Sequence, residues 1–574
     1  MAFAAADTYV VVLDLPDMMG SVGLSIDQLQ RAAPIVSGFL LGYVAMLPLI
    51  GRIADLRGRT PVLVAALVVF AFGSLVTAAA YDLPSLVVGR FLQGVGGGGL
   101  VPVTLALVAD LYPAERRGVP LGVVGAVQEL GSVIGPLYGA VVLSFGSWRN
   151  IFWINLAAGL VLAAAVATLG RSRPVAAEGA NRAHRLRQSD WLGLLLLALT
   201  IASMLLVMRQ PRGLVQSVDL GGPFVPFRAG ATIWFSPLGL ITVLLAGCLL
   251  AWLLYAARPL VDLRTWWFSA RSADLLGAGL LAIALGGVIL AFATADPEVQ
   301  VFSAAGPYYL GVAAVAAVLF ALHNRSAKAP LVPHGAFARR PAWGSLLVSF
   351  FVGAALIAAL VDIPIFARIT IAEGSQIKAA LVLLEFLVAL PVGALVGGAL
   401  IRRVPAGVLT ALGMLLAAIG FRLMAVWGPE ALHDLSSSAV LAATGFGFGL
   451  ALAPVNAALL ASTAAAVHGV TSALLVVSRM VGMLVGISAL TTIGLRRYYA
   501  VESGIPPISE VCPAGETQCA AYTRLIEQAG IEQLQAIFLG AAVCAVVAAV
   551  AALICFRGAR TRGVTPDRAI LGTG

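Results

Sequence analysis

Charge is what this chain has least of. Only 11% of its 574 residues are Asp, Glu, Lys or Arg, against about 25% in soluble domains. With 60% hydrophobic residues and a mean hydropathy of +0.98, that shortage excludes an ordinary water-soluble fold. Cysteine is also scarce, and five residues are too few for a disulfide scaffold. Cys248, Cys544 and Cys555 fall within or at the edge of apolar runs, while Cys512 and Cys519 share one polar loop. That pair forms a disulfide if the loop lies outside the cell, or stays as two free thiols. The five histidines (184, 323, 334, 433 and 468) lie in loops or at the ends of apolar runs. No H-E-x-x-H or H-x-x-x-D pattern occurs, which argues against a membrane-embedded enzyme. No Walker loop occurs either, so ATP is not expected to drive this protein and no cofactor is expected.

What the chain has is length and repetition of apolar runs. Sixteen are read, at 1–15, 32–50, 61–80, 84–110, 118–144, 150–169, 190–209, 236–256, 272–294, 307–323, 342–370, 379–400, 406–427, 438–463, 468–496 and 534–556. Runs of about 20 apolar residues are transmembrane helices. They are continuous and not alternating, which excludes a β-barrel. The fold class is therefore an all-α multi-pass membrane protein. The first run is odd: Asp7 lies only six residues from Met1, so half of a helix is expected to be missing, unless the first helix is genuinely short. Nothing polar and basic precedes this run, so no cleavable signal peptide is expected.

Net charge is +9, and its placement matters more than its size. Arg52, Arg57 and Arg59 share one loop, and Arg116 and Arg117 the next one on that side. Arg171, Arg173, Arg182, Arg185 and Arg187 follow, then Arg258, Arg264 and Arg271, then Arg325, Lys328, Arg339 and Arg340, then Arg402 and Arg403. These are alternate loops, so the positive-inside rule makes them cytoplasmic and explains the charge without nucleic acid. Both termini are then cytoplasmic, in the cell membrane. Arg212 and Arg228, in the outer loop 210–235, break the pattern mildly. Trp266 and Trp267 beside Arg264 and Arg271 read as an interfacial anchor.

The chain also repeats itself. "GLVPVTLAL" (99–107) matches "ALAPVNAAL" (451–459), and "GSVIG" (131–135) matches "GMLVG" (482–486). Two six-helix units follow, 1–170 and 342–556, the second with an outer loop at 497–533 and a cytoplasmic tail at 557–574. The linker 171–341 holds four more spans as two hairpins, opened by Ser-Asp at 189–190 and Ala-Asp at 273–274, which are helix N-cap patterns. Parallel six-helix repeats are one way to build a transporter with its substrate site at the midplane.

"GRIADLRGRT" (51–60) resembles the signature loop of the major facilitator superfamily, with Gly51, Arg52, Asp55, Gly58 and Arg59 in place. The residues explain themselves: the glycines permit a tight turn, Asp55 can cap the next helix or pair with an arginine, and the arginines bridge helices. The second copy, "GALIRRVPAG" (398–407), lacks the aspartate. "GRFLQGVGGGGLVP" (89–102) resembles the family's span-4 motif, which implies a proton-coupling role for Arg90. "GSVIGPLYG" (131–139) resembles its exporter motif, which implies close helix packing at Gly131, Gly135, Pro136 and Gly139. "SWRNIFWIN" (147–155) resembles the start of span 6 in the drug:proton antiporter branch. Members with linker helices usually have fourteen spans, so sixteen is a departure. "DTYVVV", "QELGSVIGPLYG", "LVDIPIF" and "SRMVGMLVGISAL" resemble one subgroup, the mycobacterial triacylglyceride and multidrug exporters. That resemblance implies an outer-side lipid-binding lipoprotein as partner. It also offers "LRRYYAVESG" (495–504) and "YTRLIEQAGIEQLQ" (522–535) as outward helix extensions, the alternative being a long outer loop.

Asp7, Glu129, Asp362 and Glu385 read as the buried acids, and Arg90, Arg422 and Arg479 as the buried bases. An ionised side chain at that depth is costly and marks function by default. The repeat sets Arg479 opposite Gln128, beside Glu129. Glu129 and Arg479, with Asp7, are expected to form a charge cluster between the halves. Burial favours the neutral carboxyl and a nearby arginine the ionised one, so such a group can take up and release protons. The alternative is a static ion pair. Asp362 lines the cavity or packs, while Glu385 and Arg422 face elsewhere. The expected cavity helices carry few polar groups, which points to a hydrophobic or amphiphilic drug or lipid, moved against protons by alternating access. The rival readings are a non-transporting receptor or scaffold and a lipid-handling membrane enzyme.

Overall fold

The computed structural model describes residues 2–23, 29–113, 116–171, 190–217, 221–228, 232–256, 261–293, 305–371, 376–512 and 519–559, with 259 and 561. Arg173, Arg182, Arg185, Arg187, Arg258, Arg560 and Arg562, the side chain of Pro136 and the tail from 562 lie outside the described residues.

The first half comprises α1 (Ala2–Ser21), α2 (Leu29–Arg57), α3 (Arg59–Ala79), α4 (Leu83–Leu111), α5 (Gly118–Phe145) and α6 (Arg149–Arg171). The linker carries α7 (Trp191–Arg209), a one-turn α8 (Arg212–Val215), α9 (Pro237–Tyr255), α10 (Leu263–Ser272), α11 (Leu275–Ala293) and α12 (Gly306–Ser326). The second half comprises α13 (Arg340–Thr370), α14 (Gln376–Leu400), α15 (Ala406–Met424), α16 (Leu435–Ser462), α17 (His468–Glu502), a short α18 (Ile508–Val511) and α19 (Ala520–Cys555). No strand occurs among the described residues. Fourteen helices are long and apolar enough to cross a membrane among the described residues. Beside them stand α1 and α5, with 20 and 28 residues. α1 continues past the expected end at residue 15, through Pro16 and Asp17 to Ser21.

The two halves pack by one plan. α1 lies on α5, α2 on α4, and α3 on both α4 and α6; likewise α13 lies on α17, α14 on α16, and α15 on both α16 and α19. Glycine makes this approach possible. A Cβ at Gly94 or Gly96 would collide with the backbone of α2 or α3, and one at Gly445 or Gly447 with α14 or α15. The exporter motif does the same work: Gly135 and Gly139 meet Ala6 and Val10 on α1, as Gly482 and Gly486 meet Phe350 and Ala354 on α13.

The linker hairpins start as their sequences predict. Asp190 accepts the Gly193 amide at 2.9 Å and Asp274 the Gly277 amide at 3.0 Å, each capping its helix. The first hairpin, α7 with α9, sits against α3. The second, α11 with α12, lies across α2 and α17 and so bridges the halves.

Of the two readings of 497–533, outer loop or helix extensions, the described residues favour extensions: α17 runs on past its apolar run and α19 begins before its own. At 35 and 36 residues each is ~52 Å long or more, well beyond the ~30 Å of a hydrocarbon core. Arg497 donates to Glu532 at 2.6 Å between the extensions, and Cys512 and Cys519 are joined by a disulfide.

Candidate functional site

The signature loop is a latch between the halves. Gly58, between α2 and α3, has φ 97° and ψ 155°, a conformation open essentially only to glycine. This turn presents Asp55 to the first turn of α17. The Asp55 carboxylate accepts the Gly469 amide at 2.7 Å and the Val470 amide at 3.0 Å. A carboxylate on a helix N-terminus satisfies free amides and opposes the helix dipole. Asp55 thus caps a helix of the other half, not the next helix in sequence. Arg59 holds it in place: it pairs with Asp55, and donates to Asp110 at 3.2 Å and to the Ala465 carbonyl at 3.2 Å. Gly51 meets Gly469 backbone to backbone beside them, and Arg52 carries a buried Nε without a hydrogen-bond partner. At the equivalent place in the repeat, Gly118 on α5 meets Gly398 on α14 with no carboxylate, in keeping with the aspartate missing from the second copy.

Replacing Asp55 by Asn keeps the shape and removes the charge. Hydrogen bonds to a charged group are worth about 1.5–3 kcal/mol, so the latch should open at least ten-fold more often. Hydrogen exchange at the Gly469 and Val470 amides measures this directly. Unchanged protection would mean the latch is held by glycine packing alone.

Glu129 and Arg479 lie deeper, each about 16 Å along its helix from the latch end. Both are buried and line one cavity between the halves, of ≈ 10 Å³, about the space one water needs. Gln128, Asn456, Leu105 and Val476 complete much of its wall. Glu129 and Arg479 form no ion pair with each other among the described residues. The Arg479 Nε and the Asn456 Oδ1 are buried without hydrogen-bond partners. Tyr43 lies within electrostatic reach of both charges.

Asp7 does not join them. It pairs with Arg90 inside the first half and accepts from Asn155 Nδ2 at 2.6 Å. Arg90 also donates to Gln93 at 3.0 Å, its guanidinium lies 4.4 Å from the Phe39 ring centre, and Gln93 donates to Ser74 at 2.8 Å. Both ions are at most 1% exposed. The expected three-charge cluster is therefore two separate sites. Helix spacing gives the depth of Asp7 but not which way it points, and α1 turns it toward α4 and α6. Asp362 is buried on α13 with no ion-pair partner among the described residues, while Glu385 and Arg422 are exposed away from the cavity. Asn155, Asn456 and Tyr43 were not singled out from sequence. Asn456 carried a signal, being a lone amide inside an apolar motif, and Asn155 shares its motif with Asn150; Tyr43 carried none.

Paired six-helix repeats, a latch at one end and a charged cavity between them are the arrangement of a membrane transporter. The family model described as Major Facilitator Superfamily matches residues 1–323. A triacylglyceride transporter of Mycolicibacterium hassiacum is 35% identical over 527 residues, covering 89% of this chain and 81% of that protein. The triacylglyceride transporter of Mycobacterium tuberculosis strain H37Rv is 33% identical over 522 residues, covering 88% and 83%. The crystal structure of the human organic anion transporter MFSD10 (TETRAN) has the same fold, with a TM-score of 0.51 and 14% identity over 96% of each chain. The chain belongs to the Major Facilitator Superfamily: it is a multi-pass membrane transporter and not an enzyme.

Proposed function

We propose that this transporter exports apolar lipids of the triacylglyceride class by proton antiport across the cell membrane. One observation carries the coupling: Glu129 lies buried at mid-depth, on the seam that must part, near Arg479 and not bonded to it. A carboxylate so placed can exchange its proton as the halves rock, because each state offers it a different environment. The lipid assignment rests on the two mycobacterial relatives, whose similarity covers both halves. The loops on the latch side carry the arginines, which makes that side cytoplasmic. The extensions of α17 and α19 then stand outside, where they offer a site for a lipid-binding lipoprotein.

The test is transport in proteoliposomes under an imposed pH gradient, with a fluorescent triacylglyceride and ethidium in separate runs. Gradient-dependent movement of the triacylglyceride is expected. Movement of the dye alone would make this a drug exporter, and movement that ignores the gradient would remove the proton from the mechanism.

A further inference from the structure

The structure assigns α10 a partner: we propose that it binds the anionic headgroups of the cytoplasmic leaflet and holds the Asp55 latch shut while bound. α10 joins the two linker hairpins on the latch side, between the ends of α9 and α11. It is two-faced. Inward, Arg57 donates to Thr265 at 2.8 Å and to Ser269 at 3.4 Å, and its guanidinium lies 4.3 Å from the Trp266 ring centre. Trp266 also packs on the apolar cluster that contains Ala54. Ala54 and Arg57 flank Asp55, so α10 grips the end of α2 that carries the latch.

Outward, Trp267 is 59% and Phe268 65% exposed, with Arg264 and Arg271 one turn to either side. Arg264 turns back to the Leu254 carbonyl and the Tyr255 ring, which ties α10 to the membrane end of α9. No acidic residue occurs within α10, and Asp262 before it is its N-cap, accepting the Thr265 amide at 3.3 Å. Exposed aromatics flanked by arginines, on a helix set between two membrane spans, fit the headgroup layer, and the charge selects anionic lipid. A helix seated there keeps Thr265, Trp266 and Ser269 on Arg57, and so keeps α2 against α17.

The inference rests on reading Asp55 with Gly469 and Val470 as the gate. It is tested by hydrogen exchange of the full-length protein in nanodiscs of phosphatidylcholine alone or with phosphatidylglycerol. Phosphatidylglycerol should slow exchange in 263–272 and also, at least a few-fold, in 465–473. Trp267→Ala with Phe268→Ala and Arg271→Gln should erase both effects. Arg57→Gln should leave α10 responsive and the latch indifferent. Equal exchange in both discs overturns headgroup recognition, and a response confined to α10 in the unaltered protein overturns the coupling. If Asp55→Asn does not change exchange in 465–473, the gate reading fails by itself, apart from any lipid effect.

Discussion

Replacing Glu129 by glutamine should abolish gradient-driven transport and leave the protein folded. Glutamine has nearly the same shape and can hydrogen bond within the cavity, but it carries no exchangeable charge. Leaving an ionisable group at mid-depth costs several kcal/mol unless it is compensated, and buried Glu129 has no ion-pair partner among the described residues. Stability should therefore hold or rise on substitution, which is the reverse of what loss of a structural ion pair would do. The measurement is paired: thermal unfolding in detergent, and lipid transport in vesicles with and without a pH gradient. Facilitated, gradient-independent movement in the variant would also support coupling, since the path remains and only the drive is lost. If coupled transport survives unchanged, Glu129 is a packing residue.

The repeat set Arg479 beside Glu129 because one internal match fixes depth in both halves at once. The latch was legible as a motif, down to the glycine at 58 that its backbone angles require. Its partner was not: Gly469 and Val470 offer backbone amides, which any residue has, and they lie in the other half. Asp7 shows the complementary failure. Its depth was clear, but the pairing with Arg90 depends on the rotation of α1 against α4, which the sequence of α1 alone does not encode. The far ends of α17 and α19 stayed open between helix and loop for another reason. Hydropathy reports where a chain leaves the membrane, and a helix need not end there when its mate continues with it and Arg497 meets Glu532. The contacts of α10 with Arg57 were hidden by the same distance in sequence that hid those of Asp55.

The pair Asp7–Arg90 should behave opposite to Glu129. It is enclosed by α1, α2, α4 and α6, with Asn155 on the carboxylate, Gln93 and the Ile35 carbonyl on the guanidinium, and Phe39 over it. Asp7→Asn removes the paired countercharge from a guanidinium that is 1% exposed. Losing one member of a buried pair typically costs about 3–5 kcal/mol, enough to unfold much of a marginally stable domain. The expected result is a steep loss of folded protein in detergent, before any transport is measured. Arg90→Gln alone should be similarly harmful. The two together should recover much of the loss, because replacing both members of a buried pair removes the unpaired charge that each single change creates. The coupling energy from that double-mutant cycle separates two roles. A large value, with transport still gradient-driven in the double variant, makes this pair the brace that fixes α1 to α4 and leaves proton exchange to Glu129. If the double variant is stable yet transports without regard to the gradient, Asp7 carries protons as well, and the coupling path has two carboxylates instead of one.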